Sequence, residues 1–367
     1  MSRVLPELGR AGVAVTVLAR AVTDPYAFGV VAEQVEWGGD EGPPDPAAAK
    51  DVARVIETLQ PDVVLLSNVY DVGVLRAVRA APRVVARIHD HRMFCPHGDR
   101  IYPQFRAVCR QPMGTACVVN AVVHGCVQGI HPATLRRLHA REHQRDAVRE
   151  FDAITVGSDF MARSCARNGI ERDRIAVLPP PIDPRSLDAI PAPLPADRRV
   201  LFAGRLVRDK GLRSLVRAVG LIPRELRPIL DVAGKPTAES ASIEELAPKL
   251  GVQMNLLGRL TPKQIDRAID AARAVAVPSL WPEPFGMVGI EAQARGRPAV
   301  AYAVGGIPEW IAGAGIAVPR GDEHALAEAI VEVLDDTRWH EYAVVARGRA
   351  SAYLPSAHVA KLLEVCF

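Results

Sequence analysis

The segment Pro278-Ser-Leu-Trp-Pro-Glu-Pro-Phe-Gly-Met-Val-Gly-Ile-Glu-Ala292 decides the fold of this chain. It follows an apolar run, Ala274–Val277, that predicts a buried strand, and its second half predicts a helix that begins near Phe285. Glu283 lies in the connecting loop, and Glu291 lies eight positions later, inside the helix. Because the first N–H groups of a helix attract anions, this unit predicts an anion site flanked by two carboxylates. Each glutamate taken alone is more simply a first-turn acid or a solvated helix residue.

A second strand–loop–helix unit carries positive charge. The run Val200–Ala203 predicts a strand, Gly204-Arg-Leu-Val-Arg-Asp-Lys-Gly211 the loop, and Leu212–Gly220 a helix. Gly204 allows a ligand to approach the backbone, while Arg205 and Lys210 place two cations at the helix entrance, as a pyrophosphate requires. Only six of the 45 basic residues are lysines, so a lysine at this position is notable. An ordinary basic surface loop is the alternative interpretation.

The same alternation of strands and helices runs through both halves of the chain. One series extends over residues 13–156 and another over residues 200–302, and a proline-rich stretch around residue 180 separates them. This pattern predicts an α/β fold with two tandem Rossmann-like, doubly wound domains that face a cleft at the carboxyl ends of their strands. We expect the domains to span residues 1–180 and 181–350, and a C-terminal helix over 351–367 to pack back on the first domain.

Composition excludes several classes of protein. The net charge of +3 arises from 45 basic and 42 acidic residues, so bulk attraction to nucleic acid is not expected. No stretch approaches the ~20 apolar residues of a membrane span, and the first thirty residues do not resemble a secretory signal. The sequence therefore predicts a cytoplasmic protein.

Three motifs together resemble glycosyltransferase family 4, the retaining GT-B enzymes. They are Gly204-Arg-Leu-x-x-x-Lys-Gly211, Glu283-Pro-Phe-Gly-Met-Val-Gly-Ile-Glu-Ala292 and Val304-Gly-Gly-Ile-Pro-Glu-Trp310, and the likeness continues through Leu257-Gly-Arg-Leu260 and Gly321-Asp322. The resemblance covers nearly all of the second domain. It implies transfer of a hexose-type sugar, with retention, from a nucleotide diphosphosugar to a glycan, a lipid-linked glycan or a small molecule. Such activity is typical of polysaccharide biosynthesis in the cytoplasm, with the inner face of the membrane as an alternative location.

The resemblance also implies roles for single residues. Arg205 and Lys210 would hold the donor diphosphate beside Gly204, Glu283 would face the transferred sugar, and Glu291 would bind the ribose. Backbone N–H groups would cap the sugar or the phosphate, the loop after the third strand would lie against the nucleobase, and a histidine would end a first-domain strand near the sugar. These positions correspond to Phe285, Gly286, Met287 and Val288 for the N–H groups, Arg259 and Leu260 for the loop, and His89 for the histidine. Fixed cations and a helix dipole would do the work of a metal ion, so no metal or cofactor is implied.

The beginning of the sequence departs from the family. Relatives open with a strand and a glycine-rich loop, whereas this chain starts at Arg3-Val-Leu-Pro-Glu-Leu-Gly-Arg10, within the helix that follows them. We therefore expect a reading frame that extends upstream by roughly 15–25 residues, the length of one strand, a short loop and the first helical turns.

An insertion rich in cysteine and histidine occupies residues 91–130 of the first domain. Its cysteines are Cys95, Cys109, Cys117 and Cys126. Structural zinc sites usually contain a Cys-x2–4-Cys pair, which is missing here, so free thiols are favoured over a metal site. A role of this loop in acceptor binding remains open.

An arginine stripe follows the insertion at helical spacing. It comprises Arg137, Arg141, Arg145 and Arg149, with acidic residues alongside. This spacing predicts a solvated face with salt bridges. Weak peripheral contact with a membrane is the alternative interpretation.

Two other functions remain open at this point. A nucleotide-sugar epimerase would share the architecture, although the combination of the basic loop with Glu283 and Glu291 favours transfer. A non-catalytic nucleotide-sugar-binding protein is compatible with the absent first strand.

Overall fold

The structure is a computed structural model that describes residues 3–20, 31–37, 43–102, 107–126, 132–188 and 193–367. The chain divides into two units: Met1–Pro179 together with Pro355–Phe367, and Pro180–Leu354.

The first unit is built on a parallel sheet. Its strands are β1 (Thr16–Ala19), β2 (Val31–Gln34), β3 (Val64–Ser67), β4 (Val84–Ile88), β5 (Ile101–Tyr102), β6 (Ala107–Val108), β7 (Ala153–Val156) and β8 (Ile175–Val177). Its helices up to residue 179 are α1 (Leu5–Arg10), α2 (Pro46–Leu59), α3 (Val72–Ala77), α4 (Ala116–Val123), α5 (Pro132–Val148) and α6 (Asp159–Arg167). Four parallel strands pair in the order β3-β4-β7-β8, β1 pairs with β2 in parallel, and β5 and β6 form an antiparallel hairpin.

The second unit contains a six-stranded, fully parallel sheet. Its strands are β9 (Arg199–Ala203), β10 (Ile229–Ala233), β11 (Met254–Gly258), β12 (Ala274–Val277), β13 (Ala299–Tyr302) and β14 (Gly315–Val318), in the order β11-β10-β9-β12-β13-β14. Its helices are α7 (Arg185–Asp188), α8 (Leu212–Leu221), α9 (Ala238–Lys249), α10 (Pro262–Ala271), α11 (Met287–Ala294), α12 (Ile307–Ile311), α13 (Glu323–Val333) and α14 (Asp336–Ala350). The predicted α/β class with parallel sheets in two units is confirmed, and the strand order of the second unit is doubly wound.

Burial explains the central strands of the second unit. All four residues of β12 and all four of β13 are buried, as expected of parallel strands covered by helices on both faces. Strand β14 was not predicted, because Gly313-Ala-Gly-Ile-Ala-Val318 is short and rich in glycine.

The last helix, α15 (Pro355–Cys366), belongs to the first unit. Alternate residues of β4 face opposite sides of the sheet, and Val85 lies in the same apolar cluster as Leu8 of α1 and Val359 and Leu362 of α15. Polar contacts add to this packing, since Arg83 donates to the carbonyl of Val365 at 3.0 Å.

Candidate functional site

Two loops of the second unit meet at the carboxyl edge of its sheet. Strands β9 and β12 are parallel neighbours, so the loops that follow them, 204–211 and 278–286, leave the sheet side by side. The N–H groups of Leu280 and Trp281 both donate to the carbonyl of Asp209, at 2.8 and 3.1 Å. Gly211 has φ +76°, and a Cβ there would lie 1.8 Å from the carbonyl oxygen of Pro278. Only glycine allows the two loops to approach this closely.

A buried ion pair joins the two loops. The Nζ of Lys210 contacts Oε1 of Glu283, and the hydroxyl of Ser279 donates to the same oxygen at 2.8 Å. The Trp281 ring centroid lies 4.9 Å from the ammonium group. Side-chain exposure is only 19% for Lys210 and 9% for Glu283, so both charges are largely removed from water. The two residues selected from separate sequence motifs are therefore in direct contact.

Helix α11 begins next to this pair, at Met287, two residues after the Phe285 near which the sequence predicted its start. The reason is Gly286, whose left-handed φ of +101° makes it the N-cap. Phe285 therefore lies in the loop, and its carbonyl accepts a hydrogen bond from Trp310 Nε1 at 2.6 Å. Met287 and Val288 lie in the first turn of the helix. Their N–H groups have no carbonyl partner within the helix and point out of its N-terminal end.

The Val304–Trp310 motif contacts the loop 278–286 and helix α11. The N–H of Gly306 donates to the carbonyl of Glu283 at 2.8 Å. A Cβ on Gly289 would lie 2.1 Å from the indole of Trp310, so α11 packs directly on this ring. The motifs 204–211, 283–292 and 304–310, which are separate in sequence, are thus in contact with one another in the fold.

The remaining predicted residues of the second unit differ in their exposure. Arg205 is exposed and forms no ion pair with any described residue. Gly204 is also exposed, and its carbonyl lies 2.2 Å from where a Cβ of Gly234 would be. Glu291 is half-buried in α11, whereas Arg259 is exposed and Leu260 half-buried after β11.

In the first unit, His89 follows β4 directly, as the sequence predicted. Its Nε2 lies 2.8 Å from the hydroxyl of Ser67, the last residue of β3. Although the residue is exposed, desolvation by the surrounding atoms, and next the charge of Arg87, lower the pKa of His89 to about 4. The imidazole is therefore neutral near pH 7 and acts as a hydrogen-bonding group.

The four cysteines of the insertion are free thiols and half-buried. Cys109 Sγ lies 3.2 Å from the hydroxyl of Tyr102. Burial raises the pKa of Cys117, and it raises that of Cys126 to about 11, so both are protonated at neutral pH. Within the described ranges, no group of three or more His, Cys, Asp or Glu side chains is arranged to hold a metal ion.

The arginine stripe on α5 is only in part the solvated, salt-bridged face that its spacing predicted: Arg149 is exposed and, like Arg145, pairs with Asp146, whereas Arg141 is buried. Arg141 is 3% exposed and donates to Gln144 at 2.8 Å, and Arg145 donates to the carbonyl of Met113 at 3.0 Å. Arg141 and Arg145 lie toward the interior of the unit, where their long side chains donate to an amide and a carbonyl oxygen. Among the described residues, no helix is long and apolar enough to cross a membrane.

Sequence reasoning missed two residues at the centre of the site, Ser279 and Trp281. Both lie inside the segment that decided the fold, but nothing in the spacing indicated which side chains face Lys210 and Glu283.

Comparison with known proteins adds independent information. Residues 2–186 match the family described as Glycosyltransferase Family 4, and residues 197–336 match Glycosyl transferases group 1. A D-inositol 3-phosphate glycosyltransferase of Xylanimonas cellulosilytica is 33% identical over 248 residues, which cover 60% of this chain and 58% of that protein. An uncharacterized glycosyltransferase of Methanocaldococcus jannaschii is 27% identical over 253 residues, 65% of this chain and 64% of that protein. The chain thus spans less than two thirds of the length of these relatives.

Solved structures resemble the fold over its full length. A glycosyltransferase of Rickettsia africae has a TM-score of 0.73 at 16% identity, with 99% of this chain and 92% of that chain covered. Anabaena HepE, crystallised with UDP, also has a TM-score of 0.73, at 18% identity, with coverages of 99% and 93%. At these identities the likeness shows the GT-B fold.

Proposed function

We propose, because this chain belongs to glycosyltransferase family 4, that it transfers a hexose-type sugar from a nucleotide diphosphosugar with retention at the anomeric carbon. The observation that carries the proposal is the contact of Lys210 with Glu283 beside the first turn of α11. A cation, a carboxylate and outward-pointing N–H groups at one sheet edge suit a ligand that has a diphosphate at one end and hydroxyl groups at the other.

The leaving group is the nucleoside diphosphate. As the bond from the anomeric carbon to the phosphate oxygen breaks, negative charge builds up on the phosphate. Lys210 and Arg205 would stabilise this charge together with the N–H groups of Gly286, Met287 and Val288. Because Lys210 is largely buried, water screens its charge only weakly, and the part of that charge not offset by Glu283 would act on a bound phosphate.

The other parts of the donor would lie around this centre. Glu283 would accept a hydrogen bond from a hydroxyl group of the transferred sugar, and Glu291 would bind the ribose hydroxyls. Arg259 and Leu260 would lie against the nucleobase, and the neutral His89 would contribute from the first unit as a hydrogen-bonding group at the sugar. Anabaena HepE has been crystallised with UDP and with UDP-glucose, which makes uridine donors the first to test.

The acceptor in this proposal is a glycan or a lipid-linked glycan, and the process is polysaccharide biosynthesis in the cytoplasm. A weak peripheral contact at the inner face of the membrane would give access to lipid-linked acceptors. No nucleic acid and no metal cofactor take part in the proposed reaction.

A donor screen tests this function. Thermal unfolding is measured with UDP-, GDP-, ADP- and dTDP-sugars, because a ligand at 100 times its Kd stabilises the folded state by about 2.7 kcal/mol. We expect one nucleotide class to raise the melting temperature of the wild type but not of Lys210→Ala. No stabilisation by any donor would refute the proposal.

Product analysis separates the remaining alternatives. Release of a free sugar isomer without acceptor would identify an epimerase. Donor binding without hydrolysis or transfer over the whole panel would identify a binding protein.

A further inference from the structure

We infer that Ser279 is a positioning residue that fixes the carboxylate of Glu283 so that one oxygen is held by the protein and the other is presented to a sugar hydroxyl. This inference rests on the proposed function and adds to it a residue that contacts no reacting atom. The family motifs that identified the site included Glu283 and Lys210, but Ser279 had no role in them.

The hydroxyl of Ser279 has a defined donor direction. The residue is 1% exposed, and Oγ lies 2.8 Å from Glu283 Oε1 and 3.3 Å from each of two carbonyl oxygens, those of Asp209 and Trp281. A hydroxyl group has one hydrogen to donate, and a charged acceptor at the shortest distance makes the strongest bond. The hydrogen is therefore directed to Glu283 Oε1.

The two oxygens of Glu283 have different environments. Oε1 accepts from both Ser279 and Lys210, whereas Oε2 forms no hydrogen bond within the part of the chain that the structure describes. A carboxylate that is anchored through one oxygen cannot rotate freely about its last torsion, and its second oxygen keeps a fixed direction. Oε2 is therefore the oxygen available to a ligand, and as an acceptor it can take a hydrogen bond from a sugar hydroxyl.

The backbone around Ser279 is itself held in place. Residues Leu280 and Trp281 donate their N–H groups to Asp209, next to Lys210 in the chain, and Arg320 donates to the carbonyl of Leu280 at 2.7 Å. The same hydrogen bonds between the two loops thus hold the backbone next to Ser279 and next to Lys210. Loss of the Ser279 hydroxyl should free the carboxylate without displacing the cation that binds the diphosphate.

The test separates sugar recognition from nucleotide binding. The Kd for the nucleoside diphosphate, kcat and KM are measured for the wild type, Ser279→Ala, Glu283→Ala and the double variant, with the donor found in the screen as substrate. We expect Ser279→Ala to lower kcat roughly tenfold, the size of one charge-assisted hydrogen bond, and to leave the Kd for the nucleoside diphosphate within about twofold. In the double variant, Ser279→Ala should cause no further loss, because it acts through Glu283.

A matched control comes from another buried serine. Ser164 is 0% exposed in α6, and its hydroxyl has no hydrogen-bond partner among the described residues, so Ser164→Ala should leave kcat unchanged. Wild-type kcat in Ser279→Ala, or losses that multiply in the double variant, would overturn the inference.

A second measurement needs no donor. The same four proteins are compared in thermal unfolding, where the melting shifts of the two single variants should be non-additive if the Ser279–Glu283 contact exists. Additive shifts would show that the contact is not made. If the protein bound no donor at all, the proposed function would fail, and the unfolding cycle would still decide whether Ser279 holds Glu283.

Discussion

Acidification should loosen helix α15 from the first unit, through His358. This residue is 3% exposed, its Nδ1 lies 2.8 Å from the carbonyl of Pro179, and Arg87 donates to its Nε2 at 2.8 Å. Both contacts require a neutral ring with its hydrogen on Nδ1. A second proton would replace the acceptor at Nε2 with a donor that faces the Arg87 cation.

The direction and size of the effect follow from the pKa. Burial, and next the charge of Arg87, lower the pKa of His358 to about 4 from its ordinary value of 6.5. Between these two values the unfolded chain binds the proton and the folded chain does not, so stability falls as the pH falls through this window. From pH 7.5 to pH 5 the expected loss is about 2 kcal/mol, or roughly a 30-fold rise in the opening equilibrium of α15.

Hydrogen exchange of the backbone amides in 355–367, corrected for the intrinsic effect of pH, measures this opening in the native protein. The matched variant is His358→Gln, whose amide is uncharged at both pH values. Its protection should change much less between pH 7.5 and 5. An equal loss of protection in His358→Gln and in the wild type would refute the assignment to His358.

The remaining predictions concern the site. Lys210→Ala and Arg205→Ala should each slow transfer by roughly 10²–10³-fold, the effect of losing one electrostatic stabiliser, and steady-state kinetics within tenfold of the wild type would contradict this. Lys210→Ala should also lower the melting temperature, because it leaves Glu283 buried without its cation, whereas the exposed Arg205 should not affect melting. Gly211→Ala should weaken binding, measured by calorimetry, of the nucleoside diphosphate that the donor screen identifies, since its Cβ would lie 1.8 Å from the carbonyl of Pro278. Gly348→Ala, with open space around its Cβ, is the control that should bind the same nucleotide normally. The first product seen by anomer-resolved NMR should retain the donor configuration in metal-free buffer. An inverted product, or a reaction that a chelator abolishes, would contradict the proposed mechanism.

The sequence alone was sufficient to predict the two-unit α/β fold and two residues of the central site, Lys210 and Glu283. Strands such as Ala274–Val277 and Val84–Ile88 have the bounds that their apolar runs predict, because burial on both faces of a parallel sheet leaves a continuous apolar pattern along the chain. Lys210 and Glu283 could be selected because each belongs to a contiguous motif. Information of this kind is local and can be read from neighbouring residues.

Only the tertiary structure decided how these residues combine. Lys210 and Glu283 are 73 residues apart, and their contact exists because a crossover connection places β12 next to β9 in the sheet. The Ser279–Glu283 contact is local, between residues four apart in one loop, but no spacing rule predicts it. Burial of Arg141, against the solvated face expected from its helical spacing, likewise depends on which neighbours the fold packs against that helix. The periodicity of a sequence indicates which residues share one face of a helix or strand. Which neighbour packs against that face depends on long-range contacts, and no single segment of the sequence determines them.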